Sequence, residues 1–361
     1  MSKILYLCHI DWNWIKQRPQ FIAEKLVDKH EVICIFPHWY NRSKLQNRAD
    51  KEESKIKFIE FYGLPKAKKN IIIRKVNNYL RSLLTKKVVE KSKPDVIYIC
   101  HPELYSTWMT KCSEKLVYDC MDDHYALVNN EKVKKLILSK ENTLVKKSKI
   151  VLASSANLKN MLVQRYNCPP DKIHIVRNGF NGEILENKYQ KERKSIIKIG
   201  YIGTVSSWFD FEILEDSLNI IEGLEYHIIG PVQSEAKKNS NNRIVFEGVV
   251  EHDNLQEEIA DYDALIMPFV VNDIVKSVDP VKLYEYLNFS KPIISVYYEE
   301  IDRFDEFVWF YRTLEELIDA ILNVRAGKLK YSNEARRKFL LDSTWESRAV
   351  EIEKILEVKQ R

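Results

Sequence analysis

The sequence of 361 residues lacks any apolar run close to the ~18 residues that a membrane-spanning helix requires. It also shows no secretory signal, because Met1-Ser2-Lys3 leads into a short apolar stretch, Ile4–Leu7, without a cleavage site. None of its six cysteines forms a CxxC pair, which favours reduced, mostly buried thiols over a metal site. These absences predict a cytoplasmic protein.

No internal repeat and no low-complexity segment interrupts the chain. Its composition, 45% hydrophobic and 30% charged, is typical of a soluble globular protein. Because the chain is longer than one ordinary core, two domains of middling size are expected.

The charges are divided unequally along the chain, although the formal net charge is only +5. Residues 1–190 contain 35 Lys and Arg against 20 Asp and Glu, whereas the remaining residues contain 22 against 32. The first part therefore carries +15 and the second −10. Such a separation predicts that the N-terminal half binds an anionic partner.

Short apolar runs alternate with helical patterns in the first half of the chain. A helix is predicted over Arg18–Val27, where Pro19 suits the first turn. Strands are predicted at Ile4–Cys8, Glu31–Pro37, Ile56–Phe61, Asp95–Cys100, Leu116–Cys120, Ile150–Ser154 and Ile173–Arg177. Strands separated by helical stretches are typical of a parallel sheet covered on both faces.

The pattern restarts after the polar stretch Glu186–Lys194. Strands are predicted at Ile196–Ile202, Tyr226–Ile229, Ile244–Glu247, Ala264–Met267 and Pro292–Val296, and helices at Phe211–Ile221, Leu255–Ala260, Val281–Leu287, Leu314–Asn323 and Trp345–Val358. The expected domains are therefore 1–185 and 186–342, followed by a closing helix over 343–361. In such sheets, ligands bind at the carboxyl ends of the strands.

Several motifs, each weak by itself, occur together in a specific order. They are Lys16–Gln20, Tyr118–His124, Val176–Asn181, Ile199–Gly203, Asp279–Leu287 and Ser343–Ala349. In this order and spacing the chain resembles the GT-B glycosyltransferases, in particular the GT4-like group, over nearly its whole length. The resemblance implies an α/β protein with two Rossmann-like, doubly wound parallel-sheet domains facing a central cleft. It also implies that domain 1–185 binds the acceptor, that domain 186–342 binds the nucleotide sugar, and that the C-terminal helix crosses back onto the N-terminal domain.

The same resemblance implies a glycosyltransferase of the hexosyltransferase type. Such an enzyme moves a sugar from a nucleotide-sugar donor to a saccharide or lipid-linked acceptor in cell-surface polysaccharide or glycoconjugate synthesis. UDP and GDP are the nucleotides expected, as parts of the substrate, and no cofactor is expected. No DxD-type site stands on a suitable loop, so no metal is expected either. The expected location is the cytoplasm, with peripheral attachment to the inner face of the cell membrane as an extension.

The predicted donor-binding residues centre on one helix of the second domain. Glu285 stands where the GT4-like group has the second glutamate of a pair, and a carboxylate suits a ribose diol. Lys282 and the N-terminus of this helix would bind the pyrophosphate. The first glutamate of the pair falls at Ser277, so the sugar is not identified, and Asp279 is the neighbouring candidate. The alternatives are that Glu285 is a solvated helix residue and that Lys282 is an ordinary surface lysine. The full predicted set is Gly203, Thr204, Ser206, Arg177, Asp279, Lys282, Leu283 and Glu285.

The predicted catalytic group is Asp122, Asp123 and His124, directly after a strand. Two carboxylates and an imidazole can supply a general base or stabilise an oxocarbenium-like transition state. The alternative is that Asp122 or Asp123 caps the following helix.

Aromatic and cationic residues crowd the loop after the first strand. The predicted acceptor-binding residues are His9, Trp12, Trp14, Lys16 and Arg18. Tryptophans beside cations suit a sugar face, a lipid headgroup or a diphosphate. The alternative for Trp12 and Trp14 is that they form a hydrophobic plug between the domains.

Residues 66–93 contain ten Lys and Arg and a single acidic residue, Glu90, with apolar residues at near-helical spacing. This basic amphipathic stretch suits an anionic membrane surface bearing a lipid-linked acceptor. The alternative is a helix whose apolar face docks on the sheet.

Two rival functions remain at this stage. A GT-B-like sugar-nucleotide epimerase would need a closed site with several acid–base groups and no acceptor surface, which the basic face argues against. An anionic-polymer-binding protein would explain the positive half, but no nucleic-acid motif accompanies the charge, so no nucleic-acid partner is expected.

Overall fold

The computed structural model describes residues 1–14, 16–39, 54–67, 70–186, 195–233, 241–251 and 254–358. The chain divides into two compact units, of which unit 1 contains Met1–Gly179 and Trp345–Arg361, and unit 2 contains Phe180–Thr344. Of the stretch expected to separate the domains, residues 187–194 lie outside the described residues.

Unit 1 is built on a sheet of seven parallel strands. The strands are β1 (Lys3–Leu7), β2 (Glu31–Pro37), β3 (Lys57–Phe61), β4 (Val96–Ile99), β5 (Leu116–Cys120), β6 (Ile150–Ala153) and β7 (Ile173–Ile175). Their order is β3-β2-β1-β4-β5-β6-β7, so the direction of winding reverses between β1 and β4. The helices of this unit are α1 (Arg18–Leu26), α2 (Ile71–Ser92), α3 (Glu131–Lys147), α4 (Ala156–Tyr166) and, from the C-terminus, α11 (Trp345–Val358).

Unit 2 repeats this architecture with six parallel strands. They are β8 (Ile197–Ile202), β9 (Leu224–Ile229), β10 (Ile244–Gly248), β11 (Ala264–Met267), β12 (Ile293–Val296) and β13 (Val308–Tyr311), in the order β10-β9-β8-β11-β12-β13. Its helices are α5 (Phe211–Ile220), α6 (Leu255–Glu258), α7 (Asp273–Lys276), α8 (Val281–Asn288), α9 (Leu314–Arg325) and α10 (Asn333–Asp342). The predicted fold class, two doubly wound parallel-sheet units, is confirmed.

Three elements of unit 2, namely α7, α10 and β13, were not predicted from the sequence. Strand β13 is an apolar run of four residues, and periodicity cannot assign so short a run to strand or helix. Helix α10 fully buries only Arg336 and Leu340, and its large apolar residues follow one another directly at Phe339, Leu340 and Leu341. Such a run at the end of a short helix does not give the 3.6-residue apolar stripe by which a surface helix is normally identified.

The first unit ends at Gly179, ahead of the boundary expected at residue 186. The side chain of Asn288 accepts a hydrogen bond from the amide of Leu185 at 3.0 Å and donates one to the carbonyl of Glu183 at 3.0 Å. Arg336 donates to the carbonyl of Leu185 at 2.7 Å. These bonds attach the segment before residue 186 to unit 2, a tertiary effect that local polarity does not reveal.

Helix α11 packs on α1 within unit 1. The indole of Trp345 stacks on the ring of Phe21, with centroids 5.1 Å apart and planes 11° from parallel. Lys29, just after the end of α1, forms an ion pair with Glu353 of α11 at 2.7 Å. The last helix of the chain is therefore part of the unit that contains the N-terminus.

A buried ion pair holds the start of α1 against β5. The guanidinium of Arg18 donates to both carboxylate oxygens of Asp119 at 2.9–3.1 Å, and both side chains are almost fully buried. Tyr98 donates its hydroxyl to the same carboxylate at 2.9 Å. The remaining guanidinium nitrogen donates to the carbonyl of Arg177 at 3.0 Å and lies 3.4 Å from the side-chain oxygen of Asn178. Both charges are thus hydrogen-bonded on several sides.

We expect Arg18→Met to lower the free energy of unfolding of unit 1 by about 3–5 kcal/mol, because it leaves the Asp119 carboxylate buried without a counter-charge. The double variant Arg18→Met/Asp119→Asn should recover most of this loss, because it removes both charges. Denaturant titration followed by circular dichroism measures both. Lys25→Met, which breaks a partly exposed ion pair, is the control and should cost about 0–1 kcal/mol. Equal losses for Arg18→Met and Lys25→Met would contradict a dominant role for the buried pair.

Candidate functional site

Three histidines meet at the carboxyl end of the unit 1 sheet. His9 follows β1, His101 follows β4 and His124 follows β5, and these strands are neighbours. The ring centroids lie 4.9 Å apart for His9 and His101, 4.3 Å for His101 and His124, and 6.0 Å for His9 and His124. We call these three residues the histidine cluster. From the sequence, His9 was predicted to bind the acceptor and His124 to take part in catalysis. His101 was not predicted, although the rule that ligands bind at strand ends also covers the loop after β4.

The histidine cluster is neutral at physiological pH. Burial lowers the pKa of His9 to about 3 and that of His124 to about 4. Burial and the neighbouring imidazoles lower the pKa of His101 well below its ordinary value. Nδ1 of His101 accepts a hydrogen bond from the amide of Glu103 at 3.1 Å, so neutral His101 carries its proton on Nε2. Nδ1 of His9 and Nε2 of His124 are buried without a hydrogen-bond partner among the described residues.

Asp123 is a capping residue and an ion-pair partner. Its Oδ1 accepts hydrogen bonds from the amides of Tyr125 and Ala126, both at 3.2 Å. Arg165 donates to both carboxylate oxygens, at 2.8 and 2.7 Å. Although burial alone would raise it, the pKa of Asp123 is held below its ordinary value by Arg165. A carboxylate held in this way stays ionised, which does not suit the role of proton acceptor. Asp123 caps a turn, whereas the following helix α3 is capped by Asn130, so the helix-capping alternative is wrong.

Asp122 is the carboxyl group of the predicted catalytic set that suits acid–base chemistry. Burial raises its pKa to about 7, and the charge of Arg18 only partly offsets this. The neighbouring carboxylates of Asp123 and Asp119 raise the pKa further. A group that titrates near neutral pH is present in both protonation states, as a general acid or base requires.

The two tryptophans of the predicted acceptor loop lie in different environments. Trp12 is 1% exposed and packs inside the core against Phe58, with ring centroids 4.7 Å apart. Trp14 is half-buried, and its ring centroid lies 5.5 Å from that of Trp39. Trp12 therefore has no exposed face to offer a sugar, whereas part of Trp14 remains accessible.

The two cations of the same loop also differ. Lys16 is exposed and pairs with Glu24 at 3.0 Å. The guanidinium of Arg18 is committed to Asp119 in the core, so it is a structural group of unit 1 rather than an exposed ligand for an acceptor. Of the five residues predicted for acceptor binding, only His9 belongs to the histidine cluster.

In unit 2, the side chain of Lys282 lies over Gly203, just after the carboxyl end of β8. A β-carbon at Gly203 would come within 2.3 Å of Lys282 Cε and 2.6 Å of Nζ, so any other residue there would displace the end of the lysine side chain. Gly203 also has a φ of +144°, which other residues rarely adopt. Lys282 forms no salt bridge within the described part of the chain, and its ammonium lies 6.0 Å from the ring of Tyr201. Burial lowers the pKa of this lysine, and Glu285 acts in the opposite direction.

A second glycine fixes the loop that carries Gly203. Gly230 follows β9 with a φ of +136°, and a β-carbon there would come within 2.2 Å of the Gly203 carbonyl oxygen. The amide of Gly203 donates to the carbonyl of Ile229 at 2.8 Å, and that of Val205 donates to the carbonyl of Pro231 at 2.9 Å. The two loops therefore pair backbone to backbone below the lysine.

Helix α8 is anchored to the end of β8 by Tyr286, whose hydroxyl accepts a hydrogen bond from the amide of Ile202 at 2.9 Å. Glu285 is half-buried on the same helix, close enough to Lys282 for their charges to interact. Leu283, also predicted at the donor site, is fully buried in the core of unit 2.

The other predicted donor residues are dispersed. Asp279 is buried and forms an ion pair with Arg303, so its carboxylate is committed within unit 2. Thr204 is half-buried beside Gly203, and Ser206 is buried two residues further on. Arg177 belongs to unit 1, where its carbonyl accepts the hydrogen bond from Arg18 described above.

A group of possible metal ligands also occurs in unit 1. Ligand atoms of Asp11, His38 and Glu60 lie within 4.8 Å of one another. Asp11 accepts hydrogen bonds from the amides of Asn13 at 3.0 Å and Trp39 at 2.8 Å, and Nδ1 of His38 lies 2.8 Å from Oε1 of Glu60. These contacts satisfy the cluster without an ion. The expected independence of metals remains a prediction.

Comparison with known proteins finds similarity to glycosyltransferases. Residues 21–183 match the model of the family described as Glycosyltransferase Family 4. A curated relative is the "Putative teichuronic acid biosynthesis glycosyltransferase TuaH" of Bacillus subtilis (strain 168), 21% identical over 198 residues. That match spans 50% of this chain and 50% of the relative, so the chain spans about half the length of the curated protein it matches.

Solved structures match over nearly the whole chain. The lipopolysaccharide outer core galactosyltransferase WaaB in its apo form has a TM-score of 0.66 and 14% identity, covering 97% of this chain and 99% of that one. The Anabaena protein HepE in complex with UDP has a TM-score of 0.66 and 12% identity, covering 99% and 100%. Sucrose-phosphate synthase from Thermosynechococcus elongatus has a TM-score of 0.70 and 11% identity, covering 99% and 98%. The chain therefore has the GT-B fold, and its residues 21–183 match Glycosyltransferase Family 4, as the sequence motifs predicted.

Proposed function

We propose that this protein is a glycosyltransferase that moves a sugar from a nucleotide-sugar donor to a saccharide or lipid-linked acceptor in cell-surface polysaccharide or glycoconjugate synthesis. The matching family model and the curated relative are both described as glycosyltransferases. They support this activity and lend no support to the epimerase alternative. The observation that carries the proposal is the half-buried ammonium of Lys282 over the Gly203 loop, which forms no salt bridge with a described residue.

The Lys282 ammonium has the surroundings that a diphosphate requires. It lies at the first turn of α8, whose N-terminal amides and helix dipole favour an anion. A lysine there is unfavourable to the dipole unless an anion compensates it. Because Gly203 has no side chain, phosphate oxygens can approach the backbone beneath the lysine. We assign the diphosphate of the donor to this place and the ribose to Glu285.

UDP and GDP are the nucleotides proposed for the donor. HepE, whose fold this chain shares, is described in complex with UDP and in complex with UDP and glucose. A uridine or guanosine diphosphate supplies the anion and the ribose diol that Lys282 and Glu285 suit. No cofactor takes part in this proposal.

The acceptor reacts at unit 1 in this proposal. Asp122, with a pKa near 7, accepts the proton of the acceptor hydroxyl if the transfer inverts the anomeric centre. If the transfer retains it, Asp122 and neutral His124 orient the sugar and stabilise the developing positive charge. Asp123 supports them by holding the start of the following turn.

A screen of nucleotides by thermal shift tests the donor site. UDP, GDP and their sugars should raise the melting temperature, since a ligand at 100 times its Kd stabilises the folded state by about 2.7 kcal/mol. Glu285→Ala should abolish the shift. Lys282→Met should weaken the shift strongly, because it removes the charge, although the methionine side chain still lies over Gly203. Glu334→Ala, on the exposed first turn of α10, is the matched control and should keep the full shift. An unchanged shift in Glu285→Ala would refute the placement of the ribose.

Helix α2 supports attachment to an anionic membrane surface. Large apolar side chains are exposed along one face of the helix, among them Ile72 (69% exposed), Tyr79 (63%) and Leu83 (47%). Lys75 and Lys86 are exposed beside them. Apolar groups flanked by lysines are complementary to lipid chains beneath anionic headgroups. In the described part of the chain, no helix is both long and apolar enough to cross a bilayer, so this contact would be peripheral.

The inner face of α2 is mainly polar and only its flank packs on the unit 1 core, so the alternative of an apolar face docked on the sheet holds only in part. Arg74 pairs with the Glu103 carboxylate at 3.3 Å, Arg81 donates to the Glu103 carbonyl at 2.8 Å, and Thr85 is buried. The apolar residues Leu84 and Val88 on the flank of the helix pack on the unit 1 core. Ile72, Tyr79 and Leu83 therefore remain exposed on the outer face of the helix.

Vesicle sedimentation tests this attachment. The triple variant Ile72→Ser/Tyr79→Ser/Leu83→Ser should lower partition into phosphatidylglycerol vesicles at least about tenfold, because fully burying one large apolar side chain is worth about 1.5–3 kcal/mol. Phosphatidylcholine vesicles should bind weakly. Ile220→Ser/Leu341→Ser, which removes exposed apolar groups of unit 2, should bind like the parent. Tight binding to duplex DNA without binding to vesicles would overturn the membrane proposal in favour of an anionic-polymer-binding protein.

A further inference from the structure

We propose that the histidine cluster, together with Arg81 and Lys140, binds an oxyanion carried by the acceptor, either a phosphate or a sugar carboxylate. The inference rests on the proposed function, because it names the chemical class of the acceptor for that enzyme.

The nitrogen atoms of the histidine cluster are available to a ligand. His101 keeps an N–H on Nε2, since its Nδ1 is occupied by the Glu103 amide. Nδ1 of His9 and Nε2 of His124 are buried and have no partner among the described residues. Buried polar groups of this kind are usually hydrogen-bonded, so their present state points to a ligand. His124 itself is 4% exposed.

Two cations beside the cluster, Arg81 and Lys140, form no salt bridge in the described part of the chain. Arg81 donates to the side chain of Asn78 at 2.7 Å and to the carbonyl of Glu103 at 2.8 Å. Lys140 donates to the carbonyls of Glu103 and Tyr105, both at 2.8 Å. Neither forms a salt bridge with a described residue, and burial lowers the pKa of Lys140 to about 8 and that of Arg81 to about 10. Charges that are partly withdrawn from water without an opposite charge favour the arrival of an anion.

The carboxylates near the cluster offset these cations only in part. Glu103 raises the pKa of both Arg81 and Lys140, but its carboxylate forms its salt bridge with Arg74. Asp123 is held by Arg165, and the aspartate of β5 by the buried ion pair described above. Asp122, with a pKa of about 7, is only partly ionised at neutral pH. The field at His9 and His101 is therefore positive, since Arg81 lowers the pKa of both rings and Lys140 lowers that of His101. At His124, the carboxylates of Asp123 and Asp119 act in the opposite direction.

A cation would not suit the same place. Within the described ranges, the side-chain atoms that converge as a metal site are those of Asp11, His38 and Glu60, and the histidine cluster is not such a group. Imidazole N–H groups beside an ammonium and a guanidinium instead match the oxygen atoms of phosphate or carboxylate.

The proposed site predicts a definite pH dependence. In the free protein the pKa values of His9 and His124 are about 3 and 4, so both rings are neutral at pH 6–8. A bound anion favours the protonated form of each ring and raises its pKa. Binding therefore takes up protons, and affinity must increase as the pH falls towards the raised pKa. Partial protonation of Asp122 over the same range acts in the same direction, because it removes a nearby negative charge.

Nuclear magnetic resonance of ¹⁵N-histidine-labelled protein tests this inference directly. Sulfate and glucuronate are the probes, since both are fully ionised from pH 6 to 8, and ionic strength is kept constant with chloride. We expect saturable shifts of the signals of the histidine cluster, with a Kd about tenfold lower at pH 6 than at pH 8. Glucose, which carries no charge, should not produce them. Tighter binding of sulfate would indicate a phosphate group on the acceptor, and tighter binding of glucuronate would indicate an acidic sugar.

Two variants locate the binding. His101→Asn keeps an acceptor for the Glu103 amide but removes the Nε2 edge, and it should raise the Kd about tenfold. Lys140→Met should do the same by removing the charge while keeping the aliphatic chain. The matched controls are Lys135→Met, exposed on the same helix, and His227→Gln in unit 2; both should bind like the parent.

The proposal is overturned if neither sulfate nor glucuronate shifts the signals of the histidine cluster, or if both variants bind like their controls. Thermal shift with UDP on the same samples separates this result from failure of the proposed function. Loss of anion binding with the UDP shift intact rejects only the anion site. Absence of the UDP shift with the anion site intact rejects the donor site instead.

Discussion

The buried ion pair between Arg18 and Asp119 is the constraint on which unit 1 depends. Two charges removed from water are tolerable only if nearly every donor and acceptor is used, and here Tyr98 and the carbonyl of Arg177 complete the set. The pair fixes the start of α1, the end of β5 and the segment that leads out of the unit. It also tunes the site, because the charge of Arg18 opposes the effect of burial on the pKa of Asp122 and keeps it near neutrality.

Most of the fold could be predicted from the sequence, because buried parallel strands are local apolar runs. The predicted strands β5 and β11 and the helix α11 agree with the structure at both ends, and the GT-B assignment followed from motif order. Elements without a strong local pattern were missed, such as the four-residue strand β13 and the short helix α10. The end of unit 1 was misplaced because it depends on hydrogen bonds to Asn288 and Arg336, far away in the sequence.

Less of the site could be predicted, because its residues meet only through sheet order. Gly203 and Lys282 were predicted from local motifs, and the structure brings them together. His101 was missed, since nothing in the sequence indicates that the ends of β1, β4 and β5 lie side by side. Arg18 and Trp12 were assigned to the acceptor from residue type alone, whereas the structure buries both. Residue type indicates what a side chain can do, but burial decides whether it can reach a ligand.

Helix α2 joins the two halves of the proposed acceptor side. Its outer face presents Ile72 and Leu83 to the surroundings, and its inner face holds the backbone and carboxylate of Glu103 through Arg81 and Arg74. The Glu103 amide in turn donates to His101 and fixes the tautomer of that ring. Because both faces belong to one continuous helix, a lipid surface that binds the outer face also constrains the loop that carries His101. Attachment to a membrane and binding of an anionic, lipid-linked acceptor would then depend on the same element of the fold.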